Sequence, residues 1–273
     1  MQPTLLIPGV RAVIFDISGT VMDFGSRGPV AAFVELFARH GVTISEADAR
    51  RPMGTPKRDH VWALLSDPMV AERWKQVHGC VPDQQTLDAV YTGFGPLQVE
   101  VLRQHFDLLP GVPETTAALR ANSIRVASTT GFESAMMTEL KAAAAAQGYE
   151  PECWVTPDLV GGGRPAPWMI YHAARQLGVF PLSSFVKVGD TPADIAEALN
   201  AGTWAVSVVS TGNEIGLSRA QWDALTADRR AERYGQAEAK FRALGAHYVI
   251  DSVAALLPVI DEISARIERG ERP

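Results

Sequence analysis

Cysteine is scarce in this chain. Its 273 residues include only Cys80 and Cys153, too few for a disulfide framework, so a reducing cytoplasm is the expected location. Long apolar runs are missing as well. None approaches the roughly 20 residues that span a bilayer, so no membrane partner is expected. Leu5-Leu6-Ile7-Pro8 is short and lacks the basic start of a secretory signal, and reads as a lead-in to the first strand. No long basic run occurs and the formal net charge is −6. That argues against nucleic acid or an anionic membrane as the main partner, while leaving room for a local cationic pocket that holds a small anion. Hydrophobic residues make up 47% of the chain. This suffices for a sizeable core, as one large domain or as a core with a smaller cap.

Short runs rich in β-branched residues read as buried parallel strands: 12–15, 124–127, 153–155, 185–188, 204–209 and 248–250. Helical patterns separate the later ones, at 114–119, 135–146, 168–177, 193–198 and 254–267. The alternation predicts an α/β fold, a doubly wound parallel sheet whose ligands gather at the carboxyl ends of its strands. Between the first two strands lie about 100 residues, too many for a structureless loop. They read as helices over 29–39, 46–51, 57–65, 71–77 and 86–106. The reading is an inserted α-helical cap, residues 24–107, on a core of 1–23 and 108–273. Hinges are expected near Asp23–Gly28 and Leu108–Pro113, where Gly and Pro cluster. The segment 211–247 is charged and irregular, with a helix expected on an outer face.

The chemistry-bearing residues fall at predicted strand ends. Asp16, in Asp16-Ile17-Ser18-Gly19-Thr20, puts a carboxylate where it could attack phosphorus. Gly19 permits a tight turn whose backbone N–H groups could cradle phosphate oxygens. Asp190 and Asp194 bracket a predicted helix start. With Asp16 they make an oxygen-rich cluster suited to Mg²⁺, and their mutual repulsion calls for a cation; Asp194 could act through water or serve as a helix cap. Ser128-Thr129-Thr130-Gly131 offers hydroxyls and N–H groups to a phosphoryl oxygen, and Arg164, after Gly161-Gly162-Gly163, a forked cation. Taken singly, each would be an ordinary turn residue. The predicted cap carries Lys57, in Met53-Gly54-Thr55-Pro56-Lys57-Arg58-Asp59-His60, an amine able to form a Schiff base. An amine and a nucleophilic carboxylate together suit a compound with both a carbonyl and a phosphorus group.

In this order these segments resemble the haloacid dehalogenase superfamily of aspartate-nucleophile phosphotransferases. The resemblance implies Asp16 as nucleophile, Thr129 or Thr130 as the phosphate-binding hydroxyl, Arg164 as the phosphate cation, and Asp190 and Asp194, with Asp16 and Ser18, as the Mg²⁺ site. Val21–Ser26, Met53–His60, Gly163–Met169, Val186–Thr191 and Gly245-Ala246-His247 narrow it further. They resemble the phosphonoacetaldehyde hydrolase (phosphonatase) family nearly end to end. That family's reaction cleaves the C–P bond of a small phosphonate through a lysine Schiff base and an aspartyl phosphate, in the breakdown of organic phosphonates. The resemblance also implies that Met53 lines the pocket beside Gly54, and that the protein is a homodimer through the cap.

The residues make chemical sense of this resemblance. Phosphatases of the superfamily place a second aspartate two positions after the nucleophile, as the acid for a leaving oxygen. Ser18 stands there, and a hydroxyl is far too weak an acid. A carbon leaving group would instead need an electron sink, which a protonated imine on Lys57 supplies. Free lysine titrates near ~10.4. With Thr55 as N-cap and Pro56 as the first helical residue, Lys57 would sit in a first turn, whose positive end disfavours ammonium. His60, three residues on along the same face, could relay protons. The resembling family usually has Ala at Ser18, Tyr at Phe132, Cys in some members at Ser26 and a leucine-rich pair at Thr55-Pro56. The alternatives are a Mg²⁺-dependent phosphomonoesterase or related phosphonate hydrolase and, more remotely, a non-catalytic protein that binds a phosphate ligand.

Overall fold

Alternation along the strands decides which way the sheet packs. In the computed structural model, which describes residues 9–273, β1 (Ala12–Phe15) is buried throughout. Val13 and Phe15 join one hydrophobic cluster, Ala12 and Ile14 another on the opposite face, as a period of two requires. The other strands are β2 (Arg125–Thr129), β3 (Cys153–Val155), β4 (Phe185–Gly189), β5 (Trp204–Val208) and β6 (Tyr248–Ile250). They form one parallel sheet in the order β3-β2-β1-β4-β5-β6. Phe15 pairs with Ser128 on one side and Val188 on the other. The segments that leave β1, β2 and β4 therefore emerge side by side. The expected strands are all present, each end within two residues. The lead-in proposed for Leu5–Pro8 lies outside the described residues.

Between β1 and β2 stand α1 (Arg27–Arg39), α2 (Glu46–Arg50), α3 (Lys57–Leu65), α4 (Pro68–His78), α5 (Gln84–Thr92) and α6 (Phe94–Leu102), followed by a 3₁₀ turn at Arg103–His105. Their starts are written locally. Ser45 and Asp48 make a capping box for α2. Asp67 accepts from Met69 N and Val70 N ahead of Pro68, which opens α4, where a missing N–H costs nothing. The helices bury a cluster of their own around Phe33, Phe37, Val61, Leu64, Trp74 and Phe94. This is the lid of a Rossmann-like sheet. The single helix expected over 86–106 breaks at Gly93, because Pro96 has no N–H for the i−4 bond that would carry the helix through.

The remaining helices flank the sheet: α7 (Val112–Ala121), α8 (Met137–Ala146), α9 (Pro157–Val160), α10 (Trp168–Leu177), α11 (Pro192–Ala201), α12 (Arg219–Asp223), α13 (Ala227–Ala243) and α14 (Leu256–Glu268). The stretch expected to be irregular is more ordered than its charge suggested. Ser218 with Gln221 caps α12 and Thr226 caps α13, which runs for 17 residues. The two connections between sheet and lid run together: Asp23 N donates to the Asp107 carbonyl at 3.2 Å and Leu109 N to that of Val21 at 2.9 Å. Asp23 also accepts from Arg27 N and Gly28 N, at 3.0 and 2.9 Å, which caps α1. Among the described residues no helix is long and apolar enough to cross a membrane.

Candidate active site

Asp16 is the first residue beyond β1, and Lys57 the first of α3. They face one cavity. Asp16, Ser18, Thr130, Gly131 and Arg164 form its floor; Met53, Gly54, Lys57 and Pro29 form its roof. Its volume is about 20 Å³, room for little more than a water. The lid meets the sheet edge closely. Gly54 has φ +89°, and a Cβ there would lie 2.3 Å from Thr191 Oγ1. On the opposite wall, a Cβ on Gly131 would lie 2.9 Å from the Thr55 carbonyl oxygen. That oxygen belongs to backbone and cannot swing aside. Gly131→Ala should therefore prop the lid and lower kcat/KM by about 10²-fold while thermal stability changes little. Steady-state kinetics beside a thermal melt checks this.

The floor is densely charged. Asp16, Asp190 and Asp194 are buried and bring carboxylate oxygens within 4.8 Å of one another. Arg164 Nη2 lies 2.7 Å from Asp16 Oδ1, and its Nε lies 2.9 Å from Glu197 Oε2. Lys187 Nζ lies 2.8 Å from Asp194 Oδ1. Burial raises Asp16, an effect that Arg164 opposes and Asp194 reinforces. Burial, then the charges of Asp16 and Asp194, push Asp190 well above the usual carboxylate range. Burial acts the same way on Asp194, but Arg164 and Lys187 outweigh it and hold that carboxyl low. With a cation present to offset that repulsion and let all four ionise, four carboxylates (Asp16, Asp190, Asp194, Glu197) face two cations (Arg164, Lys187). The excess of two negative charges fits a divalent cation among the three aspartates, and the all-oxygen donor set suits a hard ion.

Several expectations need correction. Gly19 presents no free N–H, because it donates to the Met22 carbonyl at 2.7 Å. Its small size matters instead: at φ +83°, a Cβ would come 2.2 Å from Asp190 Oδ2. Ser18 Oγ donates to Asp23 Oδ2 at 3.0 Å, which leaves no hydroxyl proton for a phosphoryl oxygen. Thr129 lies behind the wall, where its hydroxyl accepts from Arg164 Nη2 at 3.0 Å. Of the two threonines, Thr130 reaches the cavity. Thr55 does not cap α3. Its hydroxyl donates to the Pro52 carbonyl, and Pro56 occupies the cap position without a side-chain bond. Pro56 thus precedes the helix, and Lys57 still falls in the first turn.

Lys57 is 4% exposed. Its Nζ lies 4.9 Å from the Phe132 ring centroid and 5.5 Å from that of Phe33. Burial lowers its pKa to about 8 against the opposing pull of Asp16, and Arg164 adds to the lowering. His60 is fully buried and does not line the cavity. Its ring stacks on Phe33 at 3.7 Å, and Nε2 lies 2.9 Å from the Ala49 carbonyl. Burial, then the Lys57 charge, holds it well below the ordinary histidine range, so the ring is neutral. Nε2 must carry the proton to donate to that carbonyl, and Nδ1, which has no partner, is left as the bare acceptor. Lys187 and Glu197 were missed as site residues. A lysine inside an otherwise apolar strand, Phe185-Val186-Lys187-Val188, was the available signal.

A parallel sheet with a helical lid inserted after its first strand, and a buried aspartate trio at that strand's end, defines a hydrolase of the haloacid dehalogenase type. The family model described as haloacid dehalogenase-like hydrolase matches residues 10–202. The phosphonoacetaldehyde hydrolase of Paraburkholderia xenovorans (strain LB400) is 45% identical over 97% of this chain and 99% of its own. That of Nitratidesulfovibrio vulgaris is also 45% identical, over 97% and 94% of the two chains. The crystal structure of a phosphonoacetaldehyde hydrolase-like protein from Oleispira antarctica superimposes with a TM-score of 0.96 at 39% identity, covering 100% of both chains. The chain belongs to the phosphonoacetaldehyde hydrolase family within the haloacid dehalogenase superfamily.

Proposed function

We propose that this chain hydrolyses the C–P bond of phosphonoacetaldehyde, releasing acetaldehyde and orthophosphate. One observation carries this reading: a buried lysine and a buried aspartate face the same small cavity, with no acid at position 18. The neutral Lys57 amine adds to the aldehyde, and the adduct takes up a proton and loses water to give a protonated imine. Asp16 then attacks phosphorus. The C–P bond breaks, and its electron pair moves towards the iminium nitrogen as an enamine forms. Protonation at carbon returns the iminium, and water releases acetaldehyde and Lys57. A second water splits the aspartyl phosphate. Arg164, Thr130 and the wall at Gly131 would hold the phosphoryl group.

The carboxylates of Asp16, Asp190 and Asp194, with Ser18 beside them on the floor, would hold Mg²⁺. Bound there, Mg²⁺ would offset charge on the phosphoryl oxygens and the attacking carboxylate. His60 does not line the cavity; stacked on Phe33, it would act through that ring, keeping the lysine's surroundings apolar and uncharged. We take residues 24–107 as a moving cap on a core of 1–23 and 108–273. The closed cavity admits no substrate, so the cap must open for entry and exclude water on closing. The unpaired cysteines are compatible with a reducing cytoplasm. A cap-to-cap homodimer rests on the family resemblance; the exposed Met69, Val77 and Val81 of the cap are compatible with it.

A coupled assay for acetaldehyde and phosphate tests the reading. Equal amounts of both should appear, chelation should stop release, and Mg²⁺ should restore it. Faster turnover of sugar phosphates than of phosphonoacetaldehyde would replace it with a phosphomonoesterase. The pH dependence gives a second check. Imine formation needs the unprotonated amine, so kcat/KM should rise with pH and level off above about 8. A solvated lysine would put that limb near ~10.4.

A further inference from the structure

Arg50 ends α2, on the lid, and its guanidinium bridges the lid's entry segment at Gly25 and Ser26 to the core loop at Asn213 and Gly216. Nη1 donates to the Gly25 carbonyl at 2.8 Å and to Asn213 Oδ1 at 3.2 Å, and Nη2 donates to the Gly216 carbonyl at 3.0 Å. Asn213 answers through Nδ2, which donates to the Arg50 carbonyl at 3.4 Å. The Glu46 carboxylate approaches only to 3.7 Å. The arginine is thus held mainly by oriented oxygens at fixed positions, a task for a planar fork rather than for a point charge. The core leaves space for it: a Cβ on Gly216, at φ +65°, would fall 2.7 Å from Arg50 Nε. Three residues beyond Arg50 begins Met53-Gly54, the roof of the cavity, and then Lys57.

Asn213 does a second thing. Its backbone N–H donates to Asp190 Oδ2 at 2.8 Å, while Thr20 Oγ1 donates to Oδ1 at 3.1 Å. One residue therefore grips the lid with its side chain and a floor carboxylate with its main chain. We infer that Arg50 is a positioning residue, a latch that seats Lys57 over the floor and, through Asn213, fixes the orientation of Asp190. Lid closure and cation binding are then linked, and by reciprocity each strengthens the other. The inference rests on the proposed function only for what the latch serves.

The test uses the full chain, with two readouts that involve no phosphonate. The first is the rate of reductive methylation of Lys57 by formaldehyde and cyanoborohydride, mapped by peptide mass spectrometry. The second is Mn²⁺ affinity, from the electron paramagnetic resonance signal of the free ion. Arg50→Ala should speed Lys57 methylation by about tenfold and weaken Mn²⁺ binding by about fivefold. Arg50→Lys should recover only part of each loss. Asn213→Ala keeps its backbone N–H, so it should speed methylation while costing less Mn²⁺ affinity than Arg50→Ala. The double variant should be no worse than Arg50→Ala. If Arg50→Ala does not fold, Arg50→Lys and Asn213→Ala carry the same readouts. Methylation and Mn²⁺ binding within twofold of the parent in folded variants would overturn the latch. So would full recovery by lysine, since a mere charge would then suffice. Failure to hydrolyse phosphonoacetaldehyde would overturn the proposed function and leave these readouts untouched.

Discussion

Lys57→Arg should abolish turnover of phosphonoacetaldehyde, with a loss of at least roughly 10³-fold in kcat. Borohydride added with substrate should label the parent at Lys57 and leave the variant unlabelled. Arginine keeps a positive charge on a slightly longer side chain but stays protonated at any workable pH, so it cannot add to a carbonyl. The parent lysine escapes that state because the lid removes water from it, which lowers its pKa to about 8. The aromatic rings of Phe33 and Phe132 near Nζ supply apolar walls without a counter-charge that would fix the ammonium. Labelling elsewhere, with activity intact in Lys57→Arg, would end the imine route. Loss of activity through misfolding is excluded by a melting temperature near that of the parent.

Asp16→Asn should be as inactive, with a loss of roughly 10⁴-fold or more in phosphate release, yet behave differently in the trap. Asparagine fills the same space but is a poor nucleophile towards phosphorus. Lys57 remains on the lid, so the imine should still form and borohydride should still label it. The two variants thus divide the reaction: one has no adduct and no phosphate, the other has an adduct and no phosphate. Removing the Asp16 charge takes away the pull that keeps Lys57 partly protonated. The adduct should therefore form at a somewhat lower pH in Asp16→Asn than in the parent. No adduct in this variant would mean that Asp16 is needed before phosphorus is attacked, which would overturn the assignment of separate roles.

Strand ends were legible because a period of two in an apolar run is local, and so were the acids placed at them. Asp16, Thr130, Arg164 and Asp190 all stand within a few residues of a strand or a turn that the sequence marks. The lid was legible from length alone, since so many residues cannot remain without structure. Other features were not legible because they depend on partners remote in sequence. Nothing near Gly19 says that its N–H is donated to the Met22 carbonyl, or that Asp190 leaves no room for a side chain there. Thr129 and Thr130 are neighbours, and only the path of the chain turns the Thr129 hydroxyl to Arg164 while Thr130 lines the cavity. Thr55-Pro56 fitted a cap motif, but the hydroxyl found the Pro52 carbonyl instead.

The sequence by itself determined the parallel α/β sheet, the inserted helical segment and the kinds of group available for chemistry. These follow from residue periodicity, chain length and functional-group identity, which need no knowledge of distant contacts. The tertiary structure decided that Lys57 and Asp16 share a cavity, that Lys187 and Glu197 pair beneath it with Asp194 and Arg164, and that Arg50 reaches across to the loop holding Asp190. Each of these joins residues far apart in the chain. Burial is what gives them force: removed from water, charges act strongly on their neighbours and an amine loses its proton easily. Whether a residue is buried is settled by what the rest of the chain packs against it.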